Sequence, residues 1–187
     1  MVTGQDTLLR WTAPDGPWRE PDLHLFPQDG HRYEIIDGAL HVTPPLDALH
    51  ERIVYGLITA LRSAAPAGWW ACTRLGVQIG ESHVVPDVAV LRPGSSGATW
   101  NRPADIALVV EVETTASQRY DRLLKPDLYA DAGIPAYWRV EQDSGRAIAH
   151  LYSLEDGSYG LDEIVEPGQR FSVEEPYRVA VAPTAWA

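Results

Sequence analysis

Asp87 stands where one apolar run begins, in VVPDVAVL, and Glu111 stands near the end of another, in IALVVEVE. Runs of this kind read as strands covered on both faces. A carboxylate at such a place loses its water and needs a partner to offset that loss. If the two strands are neighbours, the carboxylates converge, and two hard oxygen donors suit Mg²⁺ or Mn²⁺. Strand alternation points Glu113 the same way as Glu111, so Glu113 could add a third carboxylate. Three close carboxylates without a cation repel, and at least one pKa rises. Lys125, in the segment that follows, could orient a water or steady charge on a phosphate.

Each residue also has a plainer reading. Asp87 follows Pro86, as turn residues do, and Glu111 and Glu113 could face solvent at a sheet edge. Asp121 and Lys125 are spaced i, i+4, acid first, which suits a surface pair contributing about 0.3 kcal/mol. His50 falls on an apolar helical stripe, where a lone histidine is usually a hydrogen-bonded core residue. Glu34 alternates with Tyr33 and Ile35, as the exposed side of a hairpin would.

The elements that must position these groups are legible in outline. The sequence DG between two apolar runs predicts a hairpin with strands near Arg32–Ile36 and Ala39–Thr43. Leu46, Leu49, His50, Ile53, Val54, Leu57, Ile58 and Leu61 fall at helical spacing and predict an amphipathic helix that stops before Pro66 and Gly68. WWACTRLGVQIG and SHVVPDVAVLRP each read as one strand, and residues 94–105 as a loop. SQRYDRLLKPDLYADAG reads as a helix kinked at Pro126 and stopped at Gly133. Three further strands form a meander, and YRVAVAPTAW adds a last one. A short helix is expected near Asp6 to Trp11. The order predicts an α/β (α+β) domain, residues 31–187, around one mixed sheet with two principal helices, preceded by an arm of residues 1–30. Helices do not alternate with strands, so a doubly wound fold is excluded.

Of 187 residues, 45% are hydrophobic and 22% charged, a globular composition. No apolar run approaches the roughly 20 residues that cross a bilayer, and no secretory signal is visible at the start. The single cysteine, Cys72, excludes an internal disulfide and a Cys-rich zinc site. The expected location is cytoplasmic. A formal net charge of −11 argues against non-specific nucleic-acid binding, unless basic groups gather on one face or cations offset the carboxylates.

RYEIIDGAL, a helix containing H-x-x-I-V, PDVAVL, LVVEV and RYDRLLKPDLYADAGIPAYWRVE occur in that order. Together they resemble the Uma family of endonucleases, within the PD-(D/E)XK restriction-endonuclease-like superfamily. The resemblance spans about Tyr33 to Glu141. It implies a mixed sheet flanked by helices, with an N-terminal hairpin and a C-terminal meander, and a Mg²⁺- or Mn²⁺-dependent endonuclease that hydrolyses phosphodiester bonds. Carried over, Asp87 and Glu111 become metal ligands and Lys125 the catalytic lysine, moved from the position of Glu113 into the next helix. Glu34, in the family's Y-E-x-x-D-G hairpin, becomes a further ligand or supporting group. Tyr129 and His50 become supporting residues. The chain departs from the family where S-P-S commonly follows Glu-Val: it reads Glu113, Thr114, Thr115, Ala116. DNA is the implied partner. A homodimer is expected from the seven tryptophans and from the pairing of related nucleases. The alternatives are a nuclease fold that binds or regulates without turnover, and a cupin-like barrel placing His24, His31, Glu34 and His83 around a transition metal.

Overall fold

The computed structural model describes residues 13–143 and 146–181. The helix expected near Asp6 to Trp11 lies outside them. A short helix α1 (Glu20–Leu23) leads into the hairpin of β1 (Arg32–Ile36) and β2 (Ala39–Thr43). Asp37 and Gly38 make its turn, both at positive φ, 51° and 75°, which is the left-handed geometry that a two-residue hairpin requires. The preceding arm packs on the hairpin: Trp18 N–H donates to Gly38 O at 2.9 Å, and Phe26 stacks on Tyr33 at 4.3 Å.

The amphipathic helix is α2 (Ala48–Ala64). Asp47 caps it by accepting from His50 N–H at 2.8 Å, as capping residues do. Its buried face is His50, Ile53, Val54, Leu57, Ile58 and Leu61.

Where one mixed sheet was expected, the described residues form two plus a ribbon, and two strand passages account for it. WWACTRLGVQIG divides into β3 (Trp70–Thr73) and β4 (Gly76–Ile79), because Arg74 takes a positive φ of 52° and turns the chain. SHVVPDVAVLRP divides into β5 (Ser82–Val84) and β6 (Val88–Leu91). Here Pro86 has no N–H to continue a ladder. The two breaks lie side by side, since Arg74 N–H donates to Asp87 O at 3.2 Å. The expected loop of residues 94–105 contains β7 (Trp100–Asn101), which pairs in parallel with β4.

The all-buried strand is β8 (Ile106–Val112). It is followed by a wide π turn (Tyr120–Leu124) running into α3 (Lys125–Asp131). Pro126 cannot donate a helical hydrogen bond, and the expected irregularity takes the form of this widened turn on its N-terminal side. Gly133, at φ 74°, follows the helix. The meander is β9 (Ala136–Asp143), β10 (Arg146–Glu155) and β11 (Ser158–Val165). The chain then forms a ribbon of β12 (Phe171–Val173) and β13 (Val179–Val181).

The larger sheet has the order β11-β10-β9-β8-β6-β3 and the smaller β2-β1-β5-β4-β7. Both are mixed, with β8 parallel to β9 and β4 parallel to β7. One face of the larger sheet, through Leu108, Val110 and Val112, packs on Ile53 and Leu57 of α2. On the other, Val109 meets Tyr129 of α3 and Val77 and Val84 of the smaller sheet. Asp87 therefore lies on the seam between the two sheets. Among the described residues, no helix is long and apolar enough to cross a membrane.

Candidate active site

The register pairs Val88 with Val110, so Asp87 lies directly across from Glu111 at the same sheet end. Glu111 Oε1 accepts from Lys125 Nζ at 2.9 Å and from Tyr129 OH at 2.7 Å. Lys125 Nζ also lies 3.3 Å from Glu34 Oε1 and 3.6 Å from Asp121 Oδ1. Asp87 is held on both oxygens. Arg32 donates to Oδ1 at 2.6 Å, Val112 N–H donates to Oδ2 at 2.8 Å, and His50 Nε2 is 3.2 Å from Oδ2. Arg32 also donates to Val85 O, and Glu34 Oε1 accepts from Val85 N–H at 2.7 Å. One cluster thus draws on β1, α2, the β5–β6 break, β8 and the helical segment carrying Asp121, Lys125 and Tyr129. Each of these side chains is buried, and Glu111 and Asp121 are 0% exposed.

Charge is unevenly matched in this cluster. Four carboxylates, Glu34, Asp87, Glu111 and Asp121, face two permanent cations, Arg32 and Lys125. Burial alone would raise Asp87, but the Arg32 guanidinium and then His50 hold its carboxyl well below the ordinary range. Burial also opposes ionisation of Glu34, which Lys125 and Arg32 nonetheless pull down. Glu111 goes the other way. Burial, reinforced by Asp121 and Asp87 and only partly offset by Lys125, pushes it up to about 8. Asp121 is likewise raised, chiefly by burial. Burial would lower Lys125, yet Glu111, Glu34 and Asp121 keep its ammonium charged well above the usual range. The Tyr129 hydroxyl is raised by burial and by Glu111, so it stays a donor.

The donor set fits a divalent cation in part. Glu111 Oε2 is buried with no hydrogen-bond partner, and Asp87 retains an unused lone pair on Oδ1. Two carboxylates with several waters are a normal Mg²⁺ environment. Among the described residues, however, no three His, Cys, Asp or Glu side chains form a ready-made cage. The Lys125 ammonium stands between the acids instead. A cavity of about 90 Å³, lined by Lys125, Asp121, Glu34 and Ser117 among others, leads outward. The rings of His41 and Tyr120, which also line it, meet edge-to-face at 4.6 Å.

Of the residues singled out from sequence, Asp87, Glu111, Lys125, Glu34, Tyr129 and His50 come together. Glu113 does not join them. It accepts from Arg122 Nε at 2.8 Å and pairs with Arg139, one alternation step further along the chain, where those arginines neutralise it. Asp121 and Lys125 are not a surface pair but are both inside the cluster. Glu34 is buried, not on an exposed hairpin face. Sequence reasoning missed Arg32, although its period-two spacing from Glu34 places both on one side of β1. The missing S-P-S is replaced by reciprocal capping: Thr114 N–H donates to Ser117 Oγ at 2.9 Å, and Ser117 N–H to Thr114 Oγ1 at 3.1 Å. The histidines of the barrel alternative are dispersed. His24 contacts Glu20, His31 contacts Asp29, and His83 packs on Trp100.

The comparisons bear on the family and the fold. A family described as "Uma2: Putative restriction endonuclease" matches residues 20–184. No curated protein matches the chain. Among solved structures, the chain is similar to "a putative nuclease belonging to DUF820 from Anabaena variabilis ATCC 29413". That similarity has a TM-score of 0.66 at 15% identity, over 91% of this chain and 97% of the other. At that identity it shows a shared fold.

Proposed function

Since the chain belongs to the family described as "Uma2: Putative restriction endonuclease", we propose that its buried cluster is the active site of a divalent-metal-dependent endonuclease acting on DNA. One observation carries the reading: four carboxylates share one buried site with two permanent cations, and Glu111 keeps an oxygen free. The excess negative charge is what Mg²⁺ or Mn²⁺ would neutralise, held by Glu111 and Asp87. Bound there, it would supply Lewis acidity toward a phosphodiester and make water more acidic.

The chain's own groups do the rest. Tyr129 fixes the rotamer of Glu111 by its 2.7 Å hydrogen bond. Arg32 and the Val112 amide fix Asp87 and keep it ionised. Lys125 offers an ammonium that stays protonated, so it donates hydrogen bonds to a phosphoryl oxygen as charge builds there, or orients water, and does not act as a base. His50 orients Asp87 from the start of α2. A phosphate would reach these groups through the cavity that His41, Tyr120 and Lys125 line. A homodimer would set two such sites against the two strands of a duplex. A binding or regulatory role without turnover is favoured by the Lys125 ammonium, which already stands among Glu34, Glu111 and Asp121.

The test is cleavage of supercoiled plasmid and of single-stranded DNA in Mg²⁺ or Mn²⁺. The wild type is expected to cut, and Glu111→Gln, Asp87→Asn and Lys125→Met to lose about a hundredfold or more. Cutting undiminished in all three variants would refute the site. DNA binding without cutting by the wild type would favour the non-catalytic reading.

A further inference from the structure

Asp121 is a fully buried carboxylate to which the mechanism above gives no part. It is 0% exposed, and neither of its oxygens accepts a hydrogen bond among the described residues. Lys125 Nζ is 3.6 Å from Oδ1, in ion-pair range but beyond hydrogen bonding. The neighbouring Ser117 hydroxyl accepts from the Thr114 N–H at 2.9 Å and keeps its own proton, which eases the ionisation of Asp121 without making a well-aligned hydrogen bond to it. Buried polar atoms in native proteins are almost always satisfied, and one that is not calls for an ion, a water or a catalytic use.

Its position is not slack. Tyr137 OH donates to the Asp121 carbonyl at 2.6 Å, and the turn that carries it closes with Lys125 N–H on Tyr120 O. The side chain lines the cavity that Lys125 and Glu34 line. Glu111 Oε2 is also without a partner, and Glu111 and Asp121 both contact the same ammonium, at 2.9 and 3.6 Å. Two carboxylates that flank one cation through Glu111 Oε1 and Asp121 Oδ1 therefore carry between them three oxygens without a hydrogen-bond partner, the hard donors that divalent ions prefer.

We propose that Asp121 is a further ligand of the divalent cation, acting with Glu111 in a place the Lys125 ammonium holds in the free protein. The inference rests on the metal-dependent reading above. It adds that cation binding displaces the ammonium from between the acids and draws the Tyr120–Leu124 turn onto the site.

Calorimetry of Mn²⁺ binding to the full chain, beside thermal melts without metal, tests it. Asp121→Asn is expected to weaken Mn²⁺ binding about tenfold or more. It should leave the metal-free melting temperature equal or higher, because it removes an unsatisfied buried charge. Unchanged Mn²⁺ affinity would overturn the proposal. So would a lower metal-free melting temperature at unchanged affinity, the signature of a plain partner for Lys125. Absence of Mn²⁺ binding by the wild type would overturn it together with the metal-dependent reading, a separate result from the first two. If Asp121→Asn does not fold, Asp121→Cys serves, since a thiolate ligand shifts preference from Mn²⁺ toward Cd²⁺. Tighter Cd²⁺ binding than the wild type supports the proposal, and equal Cd²⁺ binding overturns it.

Discussion

At the scale of single residues, the strain in this molecule is electrostatic, and its sign can be worked out. Glu111 is pushed from 4.5 to about 8, chiefly by burial. The folded state holds that proton where the unfolded chain has lost it. Stability without metal is therefore fullest below about pH 4.5 with respect to this group, and falls as pH rises toward 8. The slope for one proton is at most roughly 1.4 kcal/mol per pH unit. Asp121, also raised, adds in the same direction. Asp87 is lowered despite its burial, mainly by Arg32, so its contribution is present above the ordinary carboxylate range and is lost as pH falls below it. Denaturant melts of the metal-free protein between pH 5 and 8 should show the wild type losing stability, and Glu111→Gln showing a shallower loss. A wild type with no loss across that window would contradict the assignment of Glu111 as the unmatched acid. Part of this was legible beforehand: Glu111 ends an apolar run, where a carboxylate that does not reach solvent needs a cation or a proton. Arg32 and Asp121 were not, because helical or strand spacing to a charged neighbour describes a surface pair as well as a buried one. Only the second sheet closing over them decides which.

At the scale of elements, the site exists because the chain passes between sheets twice at one place. The hairpin and α2 follow from local chemistry, Asp37-Gly38 and a helical apolar stripe, so sequence places them closely. The passage at Pro86 carries a sequence mark, whereas the one at Arg74 carries none, since arginine has no preference for its positive φ of 52°. That is why two strands read as one. Beside the second passage, Gly76 starts β4, and a Cβ there would come within 2.6 Å of the Trp100 ring and closer still to the Thr99 carbonyl. The backbone oxygen cannot rotate away. Gly76→Ala is expected to part β4 from β7 and to cost about 1–3 kcal/mol in denaturant unfolding. A variant as stable as the wild type would show that the β4–β7 pairing is not held by this close approach.

At the scale of the whole molecule, a formal charge of −11 works against the polyanionic substrate proposed for it. Part of the acid is already neutralised internally: Glu113 by Arg122 and Arg139, and Asp87 by Arg32. Most of the remaining acids are solvent-exposed, and among the buried ones Glu111 and Asp121 keep oxygens without a hydrogen-bond partner. The account places the divalent cation there and nowhere else on the chain. A crystal soaked in Mn²⁺, with data collected for manganese anomalous scattering, asks that question most directly. The account predicts an anomalous peak at coordination distance from Glu111 Oε2, with Lys125 moved off its present 2.9 Å contact. Density for manganese only at the surface, with the Lys125–Glu111 pair unchanged, would contradict it.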